Sequence, residues 1–259
     1  MIDIKTPDEI KIMREGGKIL ASVLSELLKN IKPGISELDI DRLAEKLIIE
    51  NGAEPGFKKV KGYLHSICVS TNDVVVHGVP THYKFKAGDV AGIDCGVFYK
   101  GFHTDAAETL RVSTINNQQL TVNKKDEIDK FLETGKRALS EGIKKAKVGN
   151  RIGHISKAIQ DIVEGDGYSI VRSLVGHGVG RTLHEEPEVS GFLEVDIKET
   201  PALKTGTTIA IEVIYNIGKG NVKYLNEDGW TISTADKSIS GLFEKTIAIT
   251  SAGPSILTA

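Results

Sequence analysis

Two cysteines in 259 residues, Cys68 and Cys95, form no CxxC or other metal or redox spacing. A thiol-rich zinc site and a disulfide framework are thereby excluded, and a reducing, cytoplasmic compartment is the natural setting. No apolar run approaches the roughly 18 residues of a membrane helix, so no membrane partner is expected. The first residues, Met1-Ile-Asp-Ile-Lys-Thr-Pro-Asp-Glu9, are charged and contain no apolar signal core. A one-sided charge is missing too: 33 basic and 35 acidic residues leave a formal net charge of -2. That balance lacks the basic footprint of a dedicated nucleic-acid binder, and no direct nucleic-acid site is evident. Aromatic residues are few, at 5%, with a single tryptophan. No low-complexity stretch or linker divides the chain, and residues 1–259 read as one domain.

What is present in quantity is glycine, 27 residues, which points to tight turns and close backbone approaches. Thr6-Pro-Asp-Glu9 opens a helix with a capping box and a proline at the first helical position. Ile10, Met13, Gly17, Leu20, Leu24, Leu27 and Leu28 then recur on one face to about Asn30. Ser36 and Asp39 start a second helix that Gly52 stops. Short apolar runs follow at 66–70 and 74–77. The run 90–99 joins the run 102–112 through Lys100-Gly101, a hairpin signal. The pattern then begins again. Asp126-Glu-Ile128 echoes Asp8-Glu-Ile10, and Gly149, Ile155, Ile159, Ile162, Val163 and Gly167 repeat Gly34, Ile40, Ala44, Leu47, Ile48 and Gly52 at a constant offset. An internal pseudo-repeat over roughly 6–112 and 124–250 predicts an α+β fold. Its halves pool their strands in a shared curved sheet with helices outside, and its site lies between them. The second half is expected to carry strands at 170–175, 207–215, around 230–232 and at 240–249, with His177 in a glycine-rich loop.

Four of these β-runs are interrupted by a lone carboxylate. Asp94 and Asp105 stand on opposite arms of the hairpin, Glu212 inside Ile209-Ala-Ile-x-Val-Ile, and Glu244 between Phe243 and Thr246-Ile-Ala-Ile249. Asp is depleted in strands, and a buried charge is costly unless paired or coordinated. The hairpin alone leaves two readings open, a metal site or two Asp near strand ends. Glu212 and Glu244 add weight to the metal, because the runs at 90–98 and 207–215 contain no Lys or Arg to pair with. Four carboxylates balance the charge of two divalent ions, and His177 adds a nitrogen donor. An oxygen-rich set with one imidazole suits Mn, Fe(II), Co or Zn. Two such ions about 3.5–4 Å apart lower the pKa of a shared water toward ~7, which implies hydrolysis at a carbonyl or phosphoryl centre. His77 and His184 sit next to turn residues, where they can bond substrate or share proton transfer. His65, His82, His103 and His154 are read as structural.

These residues, taken together, resemble the type I methionine aminopeptidases. The resemblance runs from Thr6-Pro-Asp-Glu-Ile to Glu244-Lys-Thr-Ile. It is sharpest at Val76-His77-Gly-Val-Pro80, Gly101-Phe-His-Thr-Asp105, Gly176-His-Gly-Val-Gly-Arg181, His184-Glu-Glu-Pro187 and Asp228-Gly-Trp230-Thr. It implies the pita-bread fold and removal of the initiator methionine from nascent chains by a dimetal hydrolase. It implies Asp94 on one metal, Asp105 and Glu244 bridging both, and His177 and Glu212 completing the other, with Glu212 also a proton shuttle. His77 would contact the scissile amide nitrogen and His184 the carbonyl or its oxyanion. Tyr63, Cys68 and Trp230 would line the methionine pocket. Asn72 and Ser240 match backbone positions that hold a monovalent cation in some members. The family is usually monomeric, and nascent N-termini, with the ribosome behind them, are the implied partners.

The chain departs from the family pattern at Glu212-Val213-Ile214, usually Glu-Pro-Met, and at Glu244-Lys245-Thr246, usually Glu-His-Thr. Asp94-Cys-Gly and Asp105-Ala lean toward the related proline-specific peptidases, although those usually carry a large extra N-terminal domain. Two alternatives follow: a proline-specific aminopeptidase on the same fold, or a non-catalytic pita-bread protein that binds peptides, ribosomes or nucleic acid.

Overall fold

The structure is a computed structural model, and it describes residues 2–113, 126–225 and 228–259. Helices α1 (Pro7–Asn30) and α2 (Glu37–Glu50) begin at Thr6 and Ser36, each with both bonds of a capping box. Two antiparallel sheets carry the site. The first orders β1 (Glu54–Pro55), β4 (Val90–Tyr99) and β2 (Ile67–Thr71), with β5 (Phe102–Arg111) on the other edge of β4. Helices α3 (Glu127–Lys145) and α4 (Ile152–Gly165) precede the second. That sheet places β12 (Ser240–Thr250) between β13 (Gly253–Ile256) and β9 (Thr208–Asn216), then β7 (Gly176–Gly178) and β8 (Glu185–Val189), with β6 (Ser169–Ile170) on one end of β9. A small third sheet joins β3 (Val74–Val76), β11 (Ile232–Thr234) and β10 (Val222–Tyr224).

The halves echo one another in packing as well as order. Ile40, Ala44 and Ile48 of α2 are buried, and so are Ile155, Ile159 and Val163 of α4. Gly34 and Gly149, which precede these helices, hold φ of 92° and 90°, a left-handed conformation that costs a Cβ-bearing residue energy. Each helix pair lies over its own sheet, with separate cores built around Leu20, Leu24, Ile67 and Ile93, and around Phe131, Ile155, Val213 and Phe243. The proposed start of the second repeat at 124 lies outside the described residues.

The halves meet along β5 and β12, where two threonines stitch them. Thr246 Oγ1 accepts the Asp105 N–H and donates to the Asp105 carbonyl, both at 2.8 Å. In mirror fashion Thr109 Oγ1 accepts the Leu242 N–H at 3.0 Å and donates to the Leu242 carbonyl at 2.6 Å.

Two sequence expectations are corrected. The run 170–175 is a strand only at its start, because after Val171 the chain turns away from β9. His177 is inside strand β7, opposite Ala210 of β9, not in a loop. Its glycine neighbours are there because neighbouring backbone lies close: a Cβ on Gly176 would sit 2.5 Å from the Ala210 carbonyl oxygen. No helix among the described residues is long and apolar enough to cross a membrane.

Candidate active site

Strand register brings the four carboxylates together. In the hairpin Asp94 opposes Ala107 and Asp105 opposes Gly96, so the two Asp lie diagonally on one face of the β4–β5 pair. In the other half Glu244 directly opposes Glu212. His177 opposes Ala210, two residues from Glu212 and hence on the same face. The threonine stitch then holds the two faces against each other at Asp105. Ligand atoms of Asp105, His177 and Glu244 lie within 4.8 Å of one another.

The electrostatics of this cluster favour either bound protons or a bound cation. Burial pushes the Asp94 carboxyl up to about 7. Burial, with mutual repulsion added, pushes those of Asp105, Glu212 and Glu244 well above the usual carboxylate range. Among the described residues, no Lys or Arg forms an ion pair with any of the four. Asp94 Oδ1, Asp105 Oδ1 and Glu244 Oε1 are buried with no hydrogen-bond partner among the described residues. Such atoms cost free energy unless something satisfies them. His177 is prepared in the same sense. Its Nδ1–H is directed at the Gly178 carbonyl, 2.8 Å away, which leaves the Nε2 lone pair facing Glu212 Oε1 at 3.5 Å. Burial drives its pKa down to about 4, so the ring is neutral at physiological pH. This donor set fits a divalent metal.

His77, Asp94, Asp105, His177, His184, Glu212 and Glu244 line one cavity of about 100 Å³ together with Tyr63, Cys68 and Trp230, whereas Asn72 and Ser240 do not line it. Tyr63, Cys68 and Trp230 pack as their own cluster with Phe57 and Leu183. Tyr63 meets the Trp230 ring edge-on, with centroids 5.2 Å apart, and its hydroxyl donates to the Ile67 carbonyl at 2.8 Å. A second, more open cavity of about 480 Å³ shares Val76, His77, His177, His184 and Glu212 with the first. His77 and His184 therefore stand where a small apolar chamber meets an open one. The His184 ring lies edge-on to His177, with centroids 4.4 Å apart. Burial lowers the pKa of both, and His184 lowers that of His77 further, so both are neutral at physiological pH.

His77 is held in the left-handed region at φ 56°, one residue past β3. A non-glycine residue there is strained and persists only where its surroundings fix it. Gly78 supplies part of that fixation, since any Cβ there would fall 2.0 Å from the Val69 carbonyl oxygen.

The histidines read as structural fare differently. His65 Nδ1 lies 3.0 Å from Asp41, His154 Nδ1 accepts the Arg151 N–H at 3.0 Å, and His82 is exposed. His103 is buried against Phe98. Sequence reasoning missed Phe57 and Leu183 of the chamber and the two stitching threonines. Thr109 carries no signal beyond β propensity, and Thr246 lies in the Glu244-Lys245-Thr246 stretch of the resemblance without a role of its own.

Comparison with known proteins agrees with this architecture. The model of metallopeptidase family M24 matches residues 11–251. A methionine aminopeptidase of Clostridium perfringens is 43% identical over 258 residues, covering 100% of this chain and 99% of that protein. Methionine aminopeptidase 1 of Bacillus subtilis is 44% identical with the same coverage. The crystal structure of a methionine aminopeptidase from Thermotoga maritima superposes with a TM-score of 0.91 at 39% identity, covering 100% of this chain and 99% of that one. Fold, buried donor cluster and relatives spanning the whole chain lead to one assignment: this chain belongs to metallopeptidase family M24.

Proposed function

We propose that this protein is a cytoplasmic methionyl aminopeptidase that removes the initiator methionine from nascent polypeptides. The observation that carries the reading is that Asp94, Asp105, His177, Glu212 and Glu244 line the same small cavity as the apolar residues Phe57, Leu183 and Trp230. Relatives named methionine aminopeptidase cover the whole chain and favour this over a proline-specific peptidase. The five donors would hold two divalent ions, of the Mn, Fe(II), Co or Zn type. Bound there, the ions supply Lewis acidity and a water acidified enough to attack an amide at neutral pH.

The chain's own residues do the rest. The chamber formed by Phe57, Tyr63, Cys68, Leu183 and Trp230 takes the methionine side chain, a burial worth about 1.5–3 kcal/mol. So small a gain makes the chamber's shape, not its greasiness, the basis of selection. The peptide beyond the scissile bond leaves through the open cavity. His184, neutral, donates a hydrogen bond to the scissile carbonyl oxygen as it gains charge. His77 contacts the amide nitrogen that departs. Glu212 carries the proton from the attacking water toward that nitrogen. Backbone oxygens at Asn72 and Ser240 are candidates for one monovalent cation. The protein acts as a monomer on chains emerging from the ribosome.

Hydrolysis of Met-Ala-Ser and Ala-Pro-Ala peptides tests the reading, on metal-stripped protein and after Mn, Fe(II) or Co is restored. Cleavage of the methionine peptide alone, and only with metal, is expected. Preference for the proline peptide overturns the substrate assignment, and metal binding without cleavage overturns the catalytic one.

A further inference from the structure

We infer that the turn from Asp228 to Thr231 is a positioning device that ties the Trp230 wall of the apolar chamber to the His77 loop, with Thr231 and Asp228 as its working residues. The motif Asp228-Gly-Trp230-Thr is sharp in sequence, yet only Trp230 has so far been given a task. The other members are occupied. Asp228 Oδ1 accepts the N–H groups of Trp230 and Thr231, each at 2.8 Å, and Asp228 Oδ2 accepts the Thr231 hydroxyl. That donation turns the Thr231 oxygen outward as an acceptor, and it receives the Val79 N–H at 3.2 Å. Thr231 is buried, so water does not substitute for it.

Val79 is two residues beyond His77, whose left-handed backbone must be held from outside. Three contacts hold it. The Val69 N–H donates to the Gly78 carbonyl at 2.8 Å, Val76 pairs with Ile232 across β3 and β11, and the Thr231 hydroxyl takes Val79. The first two are backbone pairings that use no polar side-chain atom. The third depends on one hydroxyl and on the carboxylate that orients it. Trp230, inside the same turn, lies against Tyr63, and Val79 packs on the same cluster. A methionine side chain pressing on Trp230 and the amide presented to His77 are thus read by one turn. The inference rests on the proposed roles of Trp230 and His77.

The test compares steady-state kinetics on Met-Ala-Ser for the metal-loaded wild type and for Thr231→Val, Thr231→Ser and Asp228→Asn, with bound metal and thermal midpoint measured alongside. Valine keeps the shape but cannot accept the Val79 N–H. Its kcat is expected to fall about tenfold, with KM within about threefold and metal content unchanged. Serine restores the acceptor and returns kcat to within about threefold of wild type, which a merely structural role does not require. Asp228→Asn keeps an acceptor but loses the charge, and its kcat falls at least about threefold. Wild-type kcat in Thr231→Val, or a Thr231→Ser variant as slow as Thr231→Val, overturns the inference. Should Thr231→Val not fold, Asp228→Asn decides, and an unchanged kcat there overturns it. Failure of the wild type to cleave any methionine peptide overturns the underlying reading instead, so the two failures are distinct.

Discussion

A carboxylate among isoleucines is a poor strand residue until something neutralises it, and this chain keeps four of them. The physics separates two kinds of site residue. Asp105, buried with an unsatisfied Oδ1, belongs to the charge cluster, and removing it takes away one of the cluster's donor atoms. His77 stands at the junction of the two cavities and donates nothing to the cluster. Asp105→Ala is therefore expected to lose bound metal and all hydrolysis, whereas His77→Ala keeps its metal and loses about 100-fold or more in kcat. Metal analysis of both purified variants checks the contrast, and loss of metal in His77→Ala would place that residue among the ligands. At this scale the site was legible, because charge inside a β-run contradicts local propensity and such contradictions gather where function outweighs stability. Phe57 and Leu183 were not legible, since an apolar residue that lines a chamber is indistinguishable in sequence from one that fills a core.

The elements position this chemistry through a joint between sheets. β5 and β12 come from different halves and meet through side chains, with Thr246 serving both the N–H and the carbonyl of Asp105 and Thr109 serving Leu242 in the same way. Thr246→Val conserves shape while stranding the buried Asp105 N–H, which costs about 1–3 kcal/mol. In a chain of this size that lowers the thermal midpoint by roughly 2–4 °C per kcal/mol. The stronger expectation is a weaker metal Kd, because Asp105 is no longer held against Glu244. Calorimetric titration with Mn measures it, and an unchanged Kd would reduce the stitch to a purely structural contact. Long periodic helices and the strands around Asp94, Glu212 and Glu244 were readable from spacing. The strands β7 and β8 were not. Gly176 and Gly178 flank His177, and Pro187 interrupts Glu185–Val189, so composition argued for loop while pairing with β9 and β7 made strand. Which pieces of an edge pair up is decided by distant partners, and no local pattern carries that information.

On the scale of the whole molecule, the same cluster makes folding, metal and pH interdependent. In the metal-free chain the carboxyls of Asp94, Asp105, Glu212 and Glu244 titrate above their ordinary values, because burial disfavours ionisation of all four and neighbouring carboxylates add repulsion at Asp105, Glu212 and Glu244. The folded state then binds more protons than the unfolded one, so stability falls as pH rises. Each carboxyl that keeps its proton in the fold and loses it on unfolding removes about 1.4 kcal/mol per pH unit. The histidines act in the opposite sense. Burial depresses His77, His103, His177 and His184, so their contribution grows as pH rises and is complete near their unfolded value of about 6.5. Buried Cys68 and Cys95, whose thiols are pushed up by burial, add a loss only near and above about pH 8.5. Between about pH 6.5 and about pH 8 the carboxyls therefore dominate, and the thermal midpoint of metal-stripped protein is expected to fall across that window. Divalent metal reverses the trend, because binding to the ionised donors stabilises the fold by mass action and no longer competes with protons at the higher pH. Thermal scans in chelator and in excess Mn, at several pH values within the window, are expected to diverge steadily with rising pH. Parallel curves would mean that the four carboxyls do not share one cation site, and the charge argument on which the metal centre rests would fail with them.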